Sequence, residues 1–173
     1  GKLHTVSEVA PDAGVRIMRD YWHDEETGEF VIEQSVEKLK GAPLRASIWS
    51  VTQIAPPDAV FLPLNPHSAY ENGFHRMTEG GEGELSWQKT GALLHVQPGA
   101  KGAFKIGVDA PVAAIAAVKD GVAFVQKTAR PDGEYPDGAP GDDANGNAGF
   151  PVELFNGGTA ELQPGRMTFR PEI

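Results

Sequence analysis

Short apolar runs, each ended by a glycine, a proline or an Asx–Gly pair, constrain this chain more than any other feature. With 21 glycines and 14 prolines among 173 residues, few segments are left uninterrupted for long. Within the runs, apolar and polar residues tend to alternate, which is the period of a strand. The expectation is an all-β chain, an antiparallel β-sandwich formed as a single domain over residues 1–173.

The runs are placed by their punctuation. Val15–Met18 follows the turn Pro11-Asp12-Ala13-Gly14, and Phe30–Val36 follows an acidic hairpin tip at Asp24–Gly28. Leu85–Trp87 and Ala92–Val96 flank Lys89-Thr90-Gly91, and Phe104–Val108 stands alone. Val152–Phe155 and Ala160–Leu162 read as adjacent closing strands around Asn156-Gly157-Gly158, before Met167–Phe169. Val112–Val118 is alanine-rich enough for a helix. Pro111 before it and Asp120-Gly121 after it, leading at once into Val122–Val125, favour a strand in a hairpin instead. Arg130–Gly149 reads as one long irregular loop, functional or mobile.

Charge and composition exclude several classes. The formal net charge is −9, so no basic footprint exists for nucleic acid, polyphosphate or anionic lipid. No apolar run approaches membrane-spanning length. The chain has no cysteine, which removes disulfides, thiolate metal sites and a thiol nucleophile. It does not fix the compartment, for which periplasmic or secreted is the expectation. The chain starts at Gly1, so a processed product or a piece of a longer protein stays open, as does the oligomeric state.

The stretch that organises the rest is Ala46–His67, ASIWSVTQIAPPDAVFLPLNPH. It reads as two strands joined at Pro56-Pro57-Asp58 and closed by a polar mouth, Asn65-Pro66-His67. Alternation puts Trp49, Val51 and Gln53 on one face and Ile48, Ser50, Thr52 and Ile54 on the other. Trp49 is either a stacking platform for a sugar or a plug in the sandwich core. If the two strands pair as a hairpin, the mouth lies beside Trp49.

Three constellations carry possible chemistry. His67 and His75, with Glu71 between them, match no specific metal spacing. Asp142–Asn147, DDANGN, has the composition of a calcium loop but not its spacing, and an Asx-rich surface loop is favoured. Glu153, beside Glu161 on the next strand, is a candidate acid or base if a histidine lies near. His95, alternating within an apolar strand, reads as a packing histidine. No serine elbow, phosphate loop or dinucleotide fingerprint occurs, and neither a metal nor a cofactor is expected.

One resemblance covers most of the chain. It is carried by Ser47–Gln53 (SIWSVTQ), Leu62–Pro66 (LPLNP), Phe104–Gly107 (FKIG), Tyr135–Gly138 (YPDG), Val152-Glu153 and Leu162–Gly165 (LQPG), in that order. The set resembles an uncharacterised bacterial domain family related in pattern to the galactose-mutarotase-like supersandwich. The resemblance implies an antiparallel sandwich with a concave sheet face, of which this chain would be a partial form, and a carbohydrate ligand. On this reading Trp49 stacks on the sugar, and Gln53, Asn65, His67 and Lys105 hydrogen-bond it. Two alternatives stay open: an aldose-epimerase-like enzyme using His67 or His75 with Glu153, and a structural domain of a larger assembly.

Overall fold

A computed structural model describes the backbone of residues 1–46, 48–76, 83–99, 104–128, 142–146, 150–155, 160–162, 164 and 166–169. Side chains are described for the same residues except 49–51 and those from 142 onward, Pro164 apart. Among the described residues every regular element is a strand, and every pairing is antiparallel. The all-β sandwich expected from the punctuated runs is therefore the fold.

In chain order the strands are β1 (Lys2–Val6), β2 (Val15–His23), β3 (Phe30–Lys38), β4 (Leu44–Ala46), β5 (Trp49–Ile54), β6 (Ala59–Pro63), β7 (His75–Arg76) and β8 (Leu85–Thr90). They continue as β9 (Leu93–Pro98), β10 (Phe104–Val108), β11 (Ala113–Lys119), β12 (Val122–Thr128), β13 (Asp142–Gly146), β14 (Phe150–Phe155), β15 (Ala160–Leu162) and β16 (Arg166–Phe169).

Two five-stranded sheets make the sandwich. One, the β6 sheet, has the order β12-β11-β6-β9-β8; the other, the β10 sheet, has the order β5-β14-β13-β10-β7. A third sheet runs β1-β2-β3-β16, and β15 pairs with β4. The core is where the first two meet. Val60 and Leu62 of β6, Leu94 and Val96 of β9, and Ile115 of β11 cluster with Phe104, Ile106 and Val108 of β10, none more than 1% exposed. Ile54, Leu64, Phe74 and Leu85 close the cluster's rim. Alternation explains the choice of face: odd or even positions of each strand are apolar, and burying them is the main driving force for closing two sheets on one another.

The Val112–Val118 expectation holds, since β11 and β12 form a two-residue hairpin. Asp120 and Gly121 have φ of 50° and 77°, the two left-handed positions that a type I′ turn requires. Asp58 braces this turn. Its backbone N–H donates to the Val118 carbonyl, and its carboxylate accepts from the Asp120 N–H and the Lys119 ammonium, both at 3.0 Å.

Four expectations are corrected. The strands on either side of Pro56-Pro57 do not pair: β5 lies beside β14 and β6 between β11 and β9. Two prolines hold the connection extended and supply no N–H for a tight turn, so the chain arches from one sheet to the other. Asp142–Gly146 is a strand rather than a surface loop, hydrogen-bonded between β10 and β14. Strand propensity is poor there, but pairing on both sides outweighs it. Glu153 and Glu161 are not on adjacent strands, because β15 leaves the sandwich to pair with β4. Finally, β8 continues through Thr90, and the turn to β9 falls on Gly91-Ala92, where Gly91 has φ of 60°. Residues 130–141 and 147–149 of the expected long loop, and the Tyr135–Gly138 motif, lie outside the described residues.

Candidate functional site

The parity of β10 decides which residues of its sheet look away from the core. Phe104, Ile106 and Val108 are core residues, so Lys105, Gly107 and, one residue past the strand, Asp109 occupy the opposite face. Register carries this face across the sheet. One continuous row runs Val51, Glu153, Asp143, Gly107, His75. On one side of it Gln53 stands opposite Pro151, and Lys105 opposite Asn145. On the other, Trp49 stands opposite Phe155. Residues directly opposite in an antiparallel ladder share a face. Five of the residues singled out from sequence, Trp49, Gln53, Lys105, His75 and Glu153, thus occupy one face of one sheet. The same parity puts Trp49 on the side opposite Ile54, which packs on the core.

Dimensions follow from strand spacing. Five strands span about 19 Å, and the four residue steps from Trp49 to Gln53 about 13 Å. Gln53 and His75 are exposed, and Lys105 is half-buried. Gly107 is buried although it brings no side chain. It lies between His75 and Asp143 across the sheet and between Lys105 and Asp109 along the strand. A glycine within a strand lets another group approach the backbone closely, and the burial of Gly107 shows that neighbouring groups already cover the backbone there, with polar positions on four sides.

The loop from Leu64 to Phe74 forms the rim beside β10 and β7. Asn65 holds it. Its Nδ2 donates to the Asp109 carbonyl at 3.1 Å, and its Oδ1 accepts from the His67 N–H at 2.9 Å. The Asp109 carboxylate accepts from the Ala69 N–H through Oδ2, while Oδ1 is buried and meets no donor among the described residues. Each polar atom of Asn65 makes one hydrogen bond within the fold, and it acts on the rim by fixing the backbone that carries His67. Gly73, with φ of 75°, allows the loop to turn back, and Tyr70 stacks on His75 with ring centroids 5.3 Å apart. His67 is exposed on this loop, whereas His75 is on the sheet.

The remaining candidates go elsewhere. His95 lies on the outward face of the β6 sheet, stacked on Phe61 at 4.7 Å with Nδ1 hydrogen-bonded to the Gln88 amide at 2.8 Å. It serves packing, as its place in an apolar strand suggests. Among the described residues, no three histidine or acidic side chains converge as metal ligands would. A shallow depression of about 500 Å³ beside β8 and β9 is lined by Asp58, Glu84, Leu85, Ser86, Gln97, Pro98 and Gly99. It has no aromatic wall, and the Asp58 carboxylate is committed to the β11–β12 turn. The Asp120 N–H, then the Lys119 ammonium, hold that carboxyl below the ordinary range.

Asp109 and Tyr70 were not singled out from sequence, and Asp143 and Gly107 entered only as parts of the DDANGN loop and the FKIG motif, not as members of this face. The signal for Gly107 was present: a lone glycine inside the strand pattern FKIGV marks a close approach. Asp143 and Asn145 alternate as a strand's polar face should, but the Asx and glycine turn chemistry around them masks it. No family model, curated protein or solved structure matches the chain.

Proposed function

We propose that the protein is a carbohydrate-binding β-sandwich, related to the galactose-mutarotase-like supersandwich, and that the outward face of the β10 sheet receives the sugar. The single observation that carries this reading is the strand register that puts Trp49, Gln53, Lys105, Glu153 and His75 on one face around Gly107. A sugar presents apolar C–H patches ringed by hydroxyls. It is matched by an aromatic residue, here Trp49, among groups that both donate and accept: the Gln53 amide, the Lys105 ammonium and the carboxylates at Glu153 and Asp143. The span of about 19 Å across the strands suits an oligosaccharide better than a lone ring. His67, on the rim held by Asn65, would meet the part of the ligand that overhangs β10.

The geometry favours binding over the epimerase alternative. Glu153 and His75 are three strand steps apart, about 14 Å between backbones. A general acid and base must each come within about 3 Å of the proton they move, and backbone positions three strands apart are far from that reach.

A thermal-shift screen of the whole chain against mono- and oligosaccharides tests the proposal. A ligand at a hundred times its dissociation constant stabilises the native state by about 2.7 kcal/mol, an upward shift of several degrees in Tm for a chain of this size. A panel of neutral, amino and uronic sugars that leaves Tm unchanged contradicts it.

A further inference from the structure

The charges on the outward face of the β10 sheet narrow the kind of sugar it takes. Register sets Glu153 of β14 directly opposite Asp143 of β13, with backbones about 4.8 Å apart. Like charges directly opposite on one face of a sheet destabilise it. Val51 is the opposite residue of Glu153 on β5, and Trp49, Gln53 and Asn145 are its diagonal neighbours. None of these four is cationic.

The rest of the face does not restore the balance. Asp109 adds a third acidic residue beside the rim, where its carboxylate accepts from the Ala69 N–H at 2.9 Å. Lys105 is the one lysine or arginine on this face among the described residues, opposite Asn145 and diagonal to Asp143. One cation offsets one of the three acidic residues. The chain as a whole carries a net charge of −9, so its field over the face has the same sign as the surplus.

We infer that the ligand is an amino sugar, whose ammonium group is received at the Glu153–Asp143 pair; the inference rests on the sugar reading of this face. A protonated amine supplies the counter-charge that the pair lacks, with three N–H donors for carboxylate oxygens. Trp49 is diagonal to Glu153 across the β5–β14 ladder, and diagonal neighbours lie about 7–8 Å apart. A ring stacked on Trp49 therefore holds its substituents over Glu153. A uronic sugar brings a carboxylate to the same place, against the pair and against the charge of the chain. A neutral sugar leaves the two acidic residues opposed.

Calorimetric titration of the whole chain at about pH 6, where carboxylates are ionised and amines protonated, compares three oligosaccharides of one length. They are a glucosamine oligomer, its N-acetylated counterpart, which keeps the ring and loses the charge, and an oligogalacturonate. The glucosamine oligomer should bind at least about tenfold tighter than its acetylated counterpart at low salt. Added salt should reduce that advantage, and the uronate should bind weakest. Glu153→Gln keeps the shape and removes the charge, and should cut the advantage below about threefold. Without any sugar, the same variant should raise Tm by about 1–3 °C, because it relieves the opposed charges. Tighter binding of the acetylated or uronic oligomer, or an advantage that survives in Glu153→Gln, overturns the inference and leaves the sugar face standing. Binding of none of the three overturns it as well, and a wider sugar panel that is silent overturns the reading beneath it. A Tm that stays or falls in Glu153→Gln shows that the pair is already offset within the fold, and overturns the inference whatever the sugars do.

Discussion

The two sheets of the sandwich share a core and differ in almost everything else. The β6 sheet is built from neighbours: β8 with β9 and β11 with β12 are hairpins, and its three inner strands, β6, β9 and β11, alternate between buried aliphatic and outward residues. The β10 sheet is gathered from far apart. β5 and β7 precede β10, β13 and β14 by tens of residues, and its central strand is built of Asp, Ala, Asn and Gly. The first sheet brings local turn chemistry and most of the core aliphatics. The second brings one apolar face, on Phe104, Ile106 and Val108, and one polar face. Such a division lets one layer secure the fold while the other carries side chains poorly suited to strands.

The largest expected effect follows from the shared core. Phe104→Ala on the β10 sheet removes a fully buried ring and lowers stability by about 3–5 kcal/mol, and Leu62→Ala on the β6 sheet by about 2–5 kcal/mol. Urea unfolding followed by near- and far-UV signals should remain one coincident transition in both variants. Two separated transitions would mean that the sheets are independent and that the comparison is between two units rather than two layers.

A smaller effect is expected at the rim. Gly73 has a positive φ, and a Cβ there would stand 2.8 Å from the Leu64 Cδ2. Gly73→Ala should cost about 1–3 kcal/mol through a left-handed backbone and a displaced Leu64. The loop that carries His67 and Tyr70 moves with it, so sugar affinity should fall along with Tm. A variant that loses stability and keeps full affinity would detach this rim from the site.

The smallest effect concerns the β6 sheet. Its Asp58 carboxyl is held below the ordinary range by the Asp120 N–H and Lys119. A depressed folded-state pKa contributes stability above the unfolded value of about 3.9, and that contribution is lost as pH falls through the lower folded value. Asp58 is exposed and screened, so the change is modest. Asp58→Asn should lower Tm slightly at pH 6 and leave it equal to wild type near pH 2. An equal difference at both would show that the turn depends on the shape of Asp58 and not on its charge.

These layers also differ in how far the sequence alone reveals them. The β11–β12 hairpin is legible because Pro111, Asp120-Gly121 and the apolar runs all agree, even against alanine's helix preference. The Phe104–Val108 strand and the Trp49/Gln53 face are legible from alternation. The partner of β5 is not, because Pro56-Pro57 looks like a turn locally and works as an arch between sheets. β13 is not either, because DDANG has the chemistry of a turn and becomes a strand only through β10 and β14 on its flanks. Trp49, Gln53, Lys105, His75 and Glu153 were therefore identifiable one at a time, while the row that unites them depends on pairings more than thirty residues apart. The same blindness explains why Asp143 was read with an Asx-rich loop and Gly107 only with its motif, and not as the centre of that row.

The central claim is that the sugar lies on the outward face of the β10 sheet. Calorimetric titration of the best sugar from the screen, into the wild type and into matched variants of the two outward faces, tests it most directly. Trp49→Ala should lower affinity at least about tenfold, with Trp49→Phe retaining part of it, and Gln53→Ala and Lys105→Ala should each weaken binding with the fold intact. Gln88→Ala and Gln97→Ala, on the outward face of the β6 sheet, should leave affinity unchanged. Full affinity in all three β10-sheet sites, or a loss confined to Gln88 and Gln97, would contradict the account.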